Sequence, residues 1–331
     1  MKGLLSLYTL SAALLFASCE KEDKPVPLPE KGEAEYGNVE MGEDYTDQVF
    51  FDLETGRVVH ISEINSWHLA FDASVNGYHM FLNGGADVMI YNTGETNFNN
   101  VTSAPANTSK EWMFDRPSGL ADSTAMGDWR AAGGLSKNEV YIVKLNPTYD
   151  PNNLKKIKLV YVSNTEYVLE YADMDETITH TITIPKDERY NYSYFSFTGG
   201  GKVLQPDPPK DTWDIVFTRY RYIYYELDNF PYMVNGVLLN PYNTTAAKDT
   251  TTAFADLDFT KILEMQYSNH RDVIGFNWKE YNFDTERYEI NRDKNFVIKT
   301  RKNHYYKMRF LDFYNKQGIK GSPSFEFQRV Y

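Results

Sequence analysis

Trp213-Asp214-Ile215-Val216-Phe217-Thr218-Arg219-Tyr220 decides the fold. Trp213, Ile215 and Phe217 alternate with Asp214 and Thr218, a period of two that makes a strand with one buried face. Upstream, Tyr194-Phe195-Ser196-Phe197 leads through a glycine turn at Gly199-Gly200-Gly201 to Lys202-Val203-Leu204, and then to the tryptophan. Downstream, Tyr306, Met308 and Phe310 alternate with Lys307, Arg309 and Leu311, and Phe325 and Phe327 alternate with Ser324, Glu326 and Gln328. Lys302-Asn303-His304 is a polar hairpin connection between two such runs. One short helix is expected around Asp256 to Met265.

The same order occurs roughly 150 residues earlier, the mark of an internal duplication. Val49-Phe50-Phe51-Asp52 parallels Tyr194-Phe195-Ser196-Phe197, and Ser66-Trp67-His68-Leu69-Ala70-Phe71 parallels Thr212-Trp213-Asp214-Ile215-Val216-Phe217. Trp129 parallels Trp278. Val140-Tyr141-Ile142-Val143-Lys144 parallels Asn295-Phe296-Val297-Ile298-Lys299, and Lys156-Ile157-Lys158-Leu159-Val160 parallels Lys307-Met308-Arg309-Phe310-Leu311. A last strand closes each copy, Tyr167 to Tyr171 and Phe325 to Val330. The turn at Pro185-Lys186-Asp187 sets the boundary. The expectation is an all-β protein of two tandem antiparallel domains, residues 44–187 and 188–331. The stretches 92–128 and 239–252 read as long irregular loops, where function often sits.

These motifs resemble the HmuY family of haem-binding lipoproteins of Bacteroidetes. The second copy is the clearer match, over most of residues 190–331, with Trp-Asp-Ile-x-Phe-x-Arg-Tyr its most specific part; the first is a diverged HmuY-like version with His68 where Asp214 stands. The resemblance implies an all-β haemophore that binds haem non-covalently for iron acquisition. One axial ligand is expected in a segment shaped like Glu264-Met265-Gln266-Tyr267-Ser268-Asn269-His270, which makes His270 and Met265 the axial candidates. A second family histidine is expected five residues after the tryptophan. Phe283 stands there in the second copy and Gly134 in the first, and neither binds iron. Arg219, Tyr220 and Arg221 are candidates for the pocket wall and the propionate partners. Ordinary strand packing in a tyrosine-rich sheet is the competing account of those three.

The N-terminus carries a separate signal. Met1-Lys2-Gly3 is followed by an apolar run from Leu4 to Ala17, too short for a permanent span, which ends in Leu15-Phe16-Ala17-Ser18-Cys19. Small residues ahead of a cysteine suit a lipoprotein signal over residues 1–18, with covalent diacylglycerol on Cys19. Cys19 is the only cysteine among 331 residues. Residues 19–43 read as an acidic, proline-rich tether. The acidic residues after Cys19 resemble the surface-export signal of Bacteroidetes-type lipoproteins, so the expected location is the outer membrane, facing outward and held by lipid alone. The expected partners are haem or a haem-carrying host protein, and a TonB-dependent outer-membrane receptor.

The net charge of -12 excludes nucleic acid as the general partner. Residues 287–329 hold 11 basic and 4 acidic residues, either solvated strand faces or a cradle for an anion. Among the histidines, His304 reads as a surface residue at a hairpin tip. His79 and Met80 are adjacent in a strand, so they point to opposite faces and do not share an iron. Nucleophile elbows, zinc-protease helices and phosphate loops are absent, so no enzyme is expected. The alternative is a non-haem structural or glycan-binding surface lipoprotein on the same fold.

Overall fold

The computed structural model describes residues 32–148, 153–176 and 178–331; Cys19 and the apolar run before it lie outside the described residues. The stretch read as a tether is ordered in its last part and supplies β1 (Glu35–Asn38); the first copy supplies β2 (Asp47–Asp52), β3 (Arg57–Glu63), β4 (Leu69–Asp72), β5 (Met80–Leu82), β6 (Met89–Asn92), β7 (Tyr141–Lys144), β8 (Leu154–Val162), β9 (Glu166–Asp173) and β10 (His180–Pro185). The second supplies β11 (Tyr192–Ser196), β12 (Lys202–Leu204), β13 (Ile215–Tyr224), β14 (Phe230–Leu239) and β15 (Thr245–Asp249). It continues with α1 (Phe259–Glu264), β16 (Lys279–Asn282), β17 (Arg287–Ile290), β18 (Asn295–Lys299), β19 (Tyr305–Tyr314) and β20 (Lys320–Val330). The helix α1 starts where the sequence allows, with Asp258 accepting the N–H of Lys261 as its cap. Residues 239–252 are not irregular, because they contain β15.

The copies do not fold side by side. The sheet orders are β14-β13-β2-β3 and β12-β11-β4-β5, so each copy's leading hairpin lies in the other copy's sheet. In the two five-stranded sheets the strand that precedes each leading hairpin lies on a closing strand, β1 on β20 and β10 on β9, in the orders β1-β20-β19-β18-β15 and β10-β9-β8-β7-β6. The lobes are therefore cut differently from the sequence copies. One lobe combines β4 to β9 with β10 to β12, and its core joins Leu69, Phe71 and Ile157 to Phe195 and Phe197. The other combines β1 to β3 with β13 to β20, and its core joins Val49, Phe51 and Leu53 to Ile215, Phe217 and Phe325.

The strand register corrects the alignment at the hairpins by one residue. Ile215 pairs with Phe51, and Leu69 pairs with Phe195, so Phe51 rather than Phe50 corresponds to Phe195. Phe50 faces the opposite way, packing edge-on against Trp213 at 5.0 Å. Both faces of β2 are covered, which is why Val49, Phe50 and Phe51 run without alternation. Elsewhere the alignment and the registers agree. Tyr141 pairs with Ile157 as Phe296 pairs with Met308. Lys156 and Lys307, both buried, donate to backbone carbonyls, Glu176 and Phe98 for one and Phe254 and Leu257 for the other.

The residue after each tryptophan fastens the exchange. The N–H of Leu53 donates to Asp214 Oδ2 at 3.0 Å, and the N–H of Phe197 donates to His68 Nδ1 at 3.1 Å. Asp214 is fully buried and also meets Arg301 at 2.7 Å, whose guanidinium reaches Asp52 at 3.0 Å. Burial pushes the Asp214 carboxyl up, and Arg301 pulls it back. The first lobe needs no such cation. Its acceptor is the imidazole of His68, beside Ser196 at the place of Asp52, and Asn146 stands two residues beyond Lys144 as Arg301 stands beyond Lys299.

The basic C-terminal strands are not an open cradle. Arg301 and Lys307 are held inside, and Arg309 pairs with Glu326 at 2.6 Å. His304 is not a free surface residue either, since its Nδ1 lies 2.7 Å from the buried carboxylate of Glu54.

Candidate functional site

The sequence candidates do not converge. His270 is exposed in its turn, with its N–H on Ser268 Oγ at 3.1 Å. Met265 packs beside Leu257, Ile262, Val297 and Val330, a small apolar cluster that does not include His270. Arg219 and Arg221 are spent on the other lobe. Arg219 donates to the Gly85 carbonyl at 2.7 Å and to Asn65 at 3.2 Å. Arg221 is buried, donates to the Val88 carbonyl at 2.9 Å and pairs with Asp87. Tyr220 is buried beside Phe50, Trp213 and Val234. Phe283 sits 85 % exposed between β16 and β17, and Gly134 lies in a turn at φ +80°. Among the described residues no group of three or more histidines, cysteines or carboxylates could hold a metal ion.

Two spaces remain. The first is a cavity of about 110 Å³ lined from both four-stranded sheets, by Phe50, Val216 and Tyr220 on one side and Trp67, Tyr192 and Tyr194 on the other. It is well below the roughly 300 Å³ at which ligand pockets begin, and suits a few waters. Its acids are Asp115, which accepts the N–H groups of Leu82 and Ala125 at 2.7 Å, and Asp207, which accepts the Tyr194 hydroxyl. Burial pushes each carboxyl up to about 6. A carboxyl raised in the folded state takes a proton before the unfolded chain does, so its burial cost is full above pH 6 and fades as pH falls toward 3.8. The stability gap between Asp207→Asn and the parent therefore narrows as pH drops from 8 to 5, by about 1.4 kcal/mol. Urea midpoints across that range check this, and a constant gap would contradict it.

The second space is a groove of about 730 Å³ along the edge strand β14, between the β13–β14 and β16–β17 hairpins. Tyr222, Tyr224, Tyr232, Tyr281, Tyr288 and Phe276 wall it. The rings interlock edge to face, Tyr222 on Phe276 at 4.9 Å and Tyr281 on Tyr288 at 5.2 Å. Tyr45, from the first copy, completes the wall because the exchange carries the β1–β2 segment into this lobe. Met233 supplies the groove's sulfur, and Lys279 and Arg219 its cations. Burial raises the phenols of Tyr45, Tyr222, Tyr224 and Tyr288, so they resist giving up protons. Sequence reading missed Met233 and Lys279. The one signal for them was their position in aromatic strands, which core packing explains equally well.

The groove suits a flat, largely apolar ligand with anionic edges. The HmuY protein family profile matches this chain twice, over residues 44–182 and 188–327. The chain belongs to the HmuY family. Its tandem repeats are thus two HmuY units, and its strands are antiparallel throughout. Similar solved structures include an apo HmuY analogue from Tannerella forsythia, at 11% identity over 92% of this chain and 100% of that one, with a TM-score of 0.27. Another is apo PinO from Porphyromonas gingivitis, at 11% identity over 90% of this chain and 98% of that one, with a TM-score of 0.25. No curated protein matches the chain.

Proposed function

We propose that this HmuY-family protein is a surface lipoprotein that captures haem in the tyrosine groove of the second lobe, a binding protein and not an enzyme. The observation that carries this is the groove itself, about 730 Å³ of aromatic wall with one thioether, two cations and two acids. Haem iron accepts methionine sulfur, which gives up no proton, so Met233 is the axial donor in place of His270. The signal-like Leu15-Phe16-Ala17-Ser18-Cys19 supports lipid anchoring at Cys19, with the outer face of the outer membrane as the site of capture and a TonB-dependent receptor as recipient.

Haemin titration followed by visible spectroscopy tests this. The parent gives a saturable, sharpened Soret band. Met233→Ala weakens binding by about tenfold or more, and His270→Ala leaves it unchanged. A band no different from that of a non-binding control protein ends the haem reading. The second reading, glycan binding, is favoured by the exposed rings of Tyr225, Phe230, Tyr232 and Phe283. It predicts binding on a glycan array with no spectral change.

A further inference from the structure

We infer that Lys279 is an anion subsite that pairs with a carboxylate of the groove's ligand and takes up a proton as it does so. The inference deepens the proposed haem reading and rests on it for the ligand's identity. Lys279 opens β16, is 5% exposed, and lines the groove. Its ammonium donates to the Asn235 carbonyl at 2.8 Å and lies over the rings of Trp278 at 4.3 Å, Phe313 at 4.6 Å and Tyr288 at 5.6 Å. Among the described residues no carboxylate pairs with it. Glu226 and Glu280 line the same groove, yet neither pairs with Lys279, and Arg219 is engaged with Gly85 and Asn65.

The other copy shows what is missing. There Asp128-Trp129-Arg130 stands in the place of Asn277-Trp278-Lys279, and Arg130 pairs with Asp128 at 2.9 Å. In the second copy the acid is an amide and the cation faces the groove alone. A buried cation without an anion is costly, and a ligand carboxylate supplies what the fold omits. Burial lowers the Lys279 amine to about 7, and an arriving carboxylate raises it again. Above pH 7 the empty site is neutral, so binding an anion there requires a proton from solution. The phenols of the groove are raised by burial and titrate above this window.

The test uses metal-free protoporphyrin IX and its dimethyl ester, followed by fluorescence between pH 6.5 and 9, so that iron ligation plays no part. For the free acid the dissociation constant rises toward about tenfold per pH unit above 7. The ester shows no such trend. Lys279→Met removes a buried charge, so it folds, and it binds the free acid about tenfold more weakly at pH 6.5 with no slope. A free acid without pH dependence, or a slope that survives in Lys279→Met, overturns the inference and leaves porphyrin binding standing. If neither porphyrin binds, the haemin titration decides the haem reading by itself, and a benzoate titration of lysine-labelled protein by carbon NMR decides for Lys279. A shift of its ε-carbon, with a raised apparent pKa, supports the subsite; an unmoved signal ends it.

Discussion

Residues 33–187 and 188–331, produced separately, give no cooperative unfolding transition, and mixing them in equal amounts restores one. Each half lacks a hairpin that its lobe requires. The second half would expose Ile215, Phe217 and Phe325, fully buried against Val49, Phe51 and Leu53 in the intact chain. Three such side chains, at about 1.5–3 kcal/mol each, come to as much as a typical domain's whole margin of stability. The first half cannot readily fold its own hairpin back. Between Glu63 and Leu69 only Ile64 to His68 are available, and Ile64–Ser66 is wound as a 3₁₀ turn. Returning β2 to its own β4 would pull that link nearly straight, since a residue spans at most about 3.6 Å. Thermal melts by circular dichroism, with size-exclusion chromatography, check the result. A monomeric half with a sharp melt would mean that the hairpins close on their own copies.

Arg301→Asn destabilises the protein by about 3–5 kcal/mol, the largest effect expected of a single substitution here. It leaves Asp52 and Asp214 together in the interior, their side chains 6% and 0% exposed, with no cation between them. The first lobe indicates the repair. Its equivalent residues are Ser196, His68 and Asn146, a neutral set in which His68 alone accepts the hairpin N–H. Asp52→Ser, Asp214→His and Arg301→Asn together transplant that set. The triple variant recovers most of the stability that Arg301→Asn loses, because no unpaired charge remains. Denaturant midpoints for the single and triple variants check this, and a triple variant as weak as the single one would refute the equivalence of the two lobes.

Much of the fold was legible because strand periodicity and paired tryptophans are local signals. The alternation around Trp213 and Tyr306 is written in neighbouring residues, and so is the duplication. The exchange of hairpins was not legible. Phe51 makes the same type of contact whether Leu69 or Ile215 lies beside it, and similar repeats offer similar apolar partners. The one-residue error at the hairpins has a similar origin, because Phe50 and Phe51 are both buried and the run has no polar residue to fix its phase. At the site, His270 was chosen for its residue type within a family motif, and the structure leaves it in an exposed turn. The groove depends on two hairpins and a loop more than 150 positions apart in sequence, Tyr45 among them, which no local pattern can announce.

The pairing of β1 with β20 has a consequence for how the protein is made. As the chain leaves the ribosome, β1 to β3 emerge first, but their partners, β13 and β20, come about 150 to 290 positions later. Until then an aromatic hairpin waits with bare edges, the condition in which nascent chains are most open to mispairing. Of the described strands, the last in chain order is the one that shuts the first into place. Nothing assembled earlier completes that lobe, so a ribosome stalling short of Lys320 releases a chain with its opening strand still unclaimed.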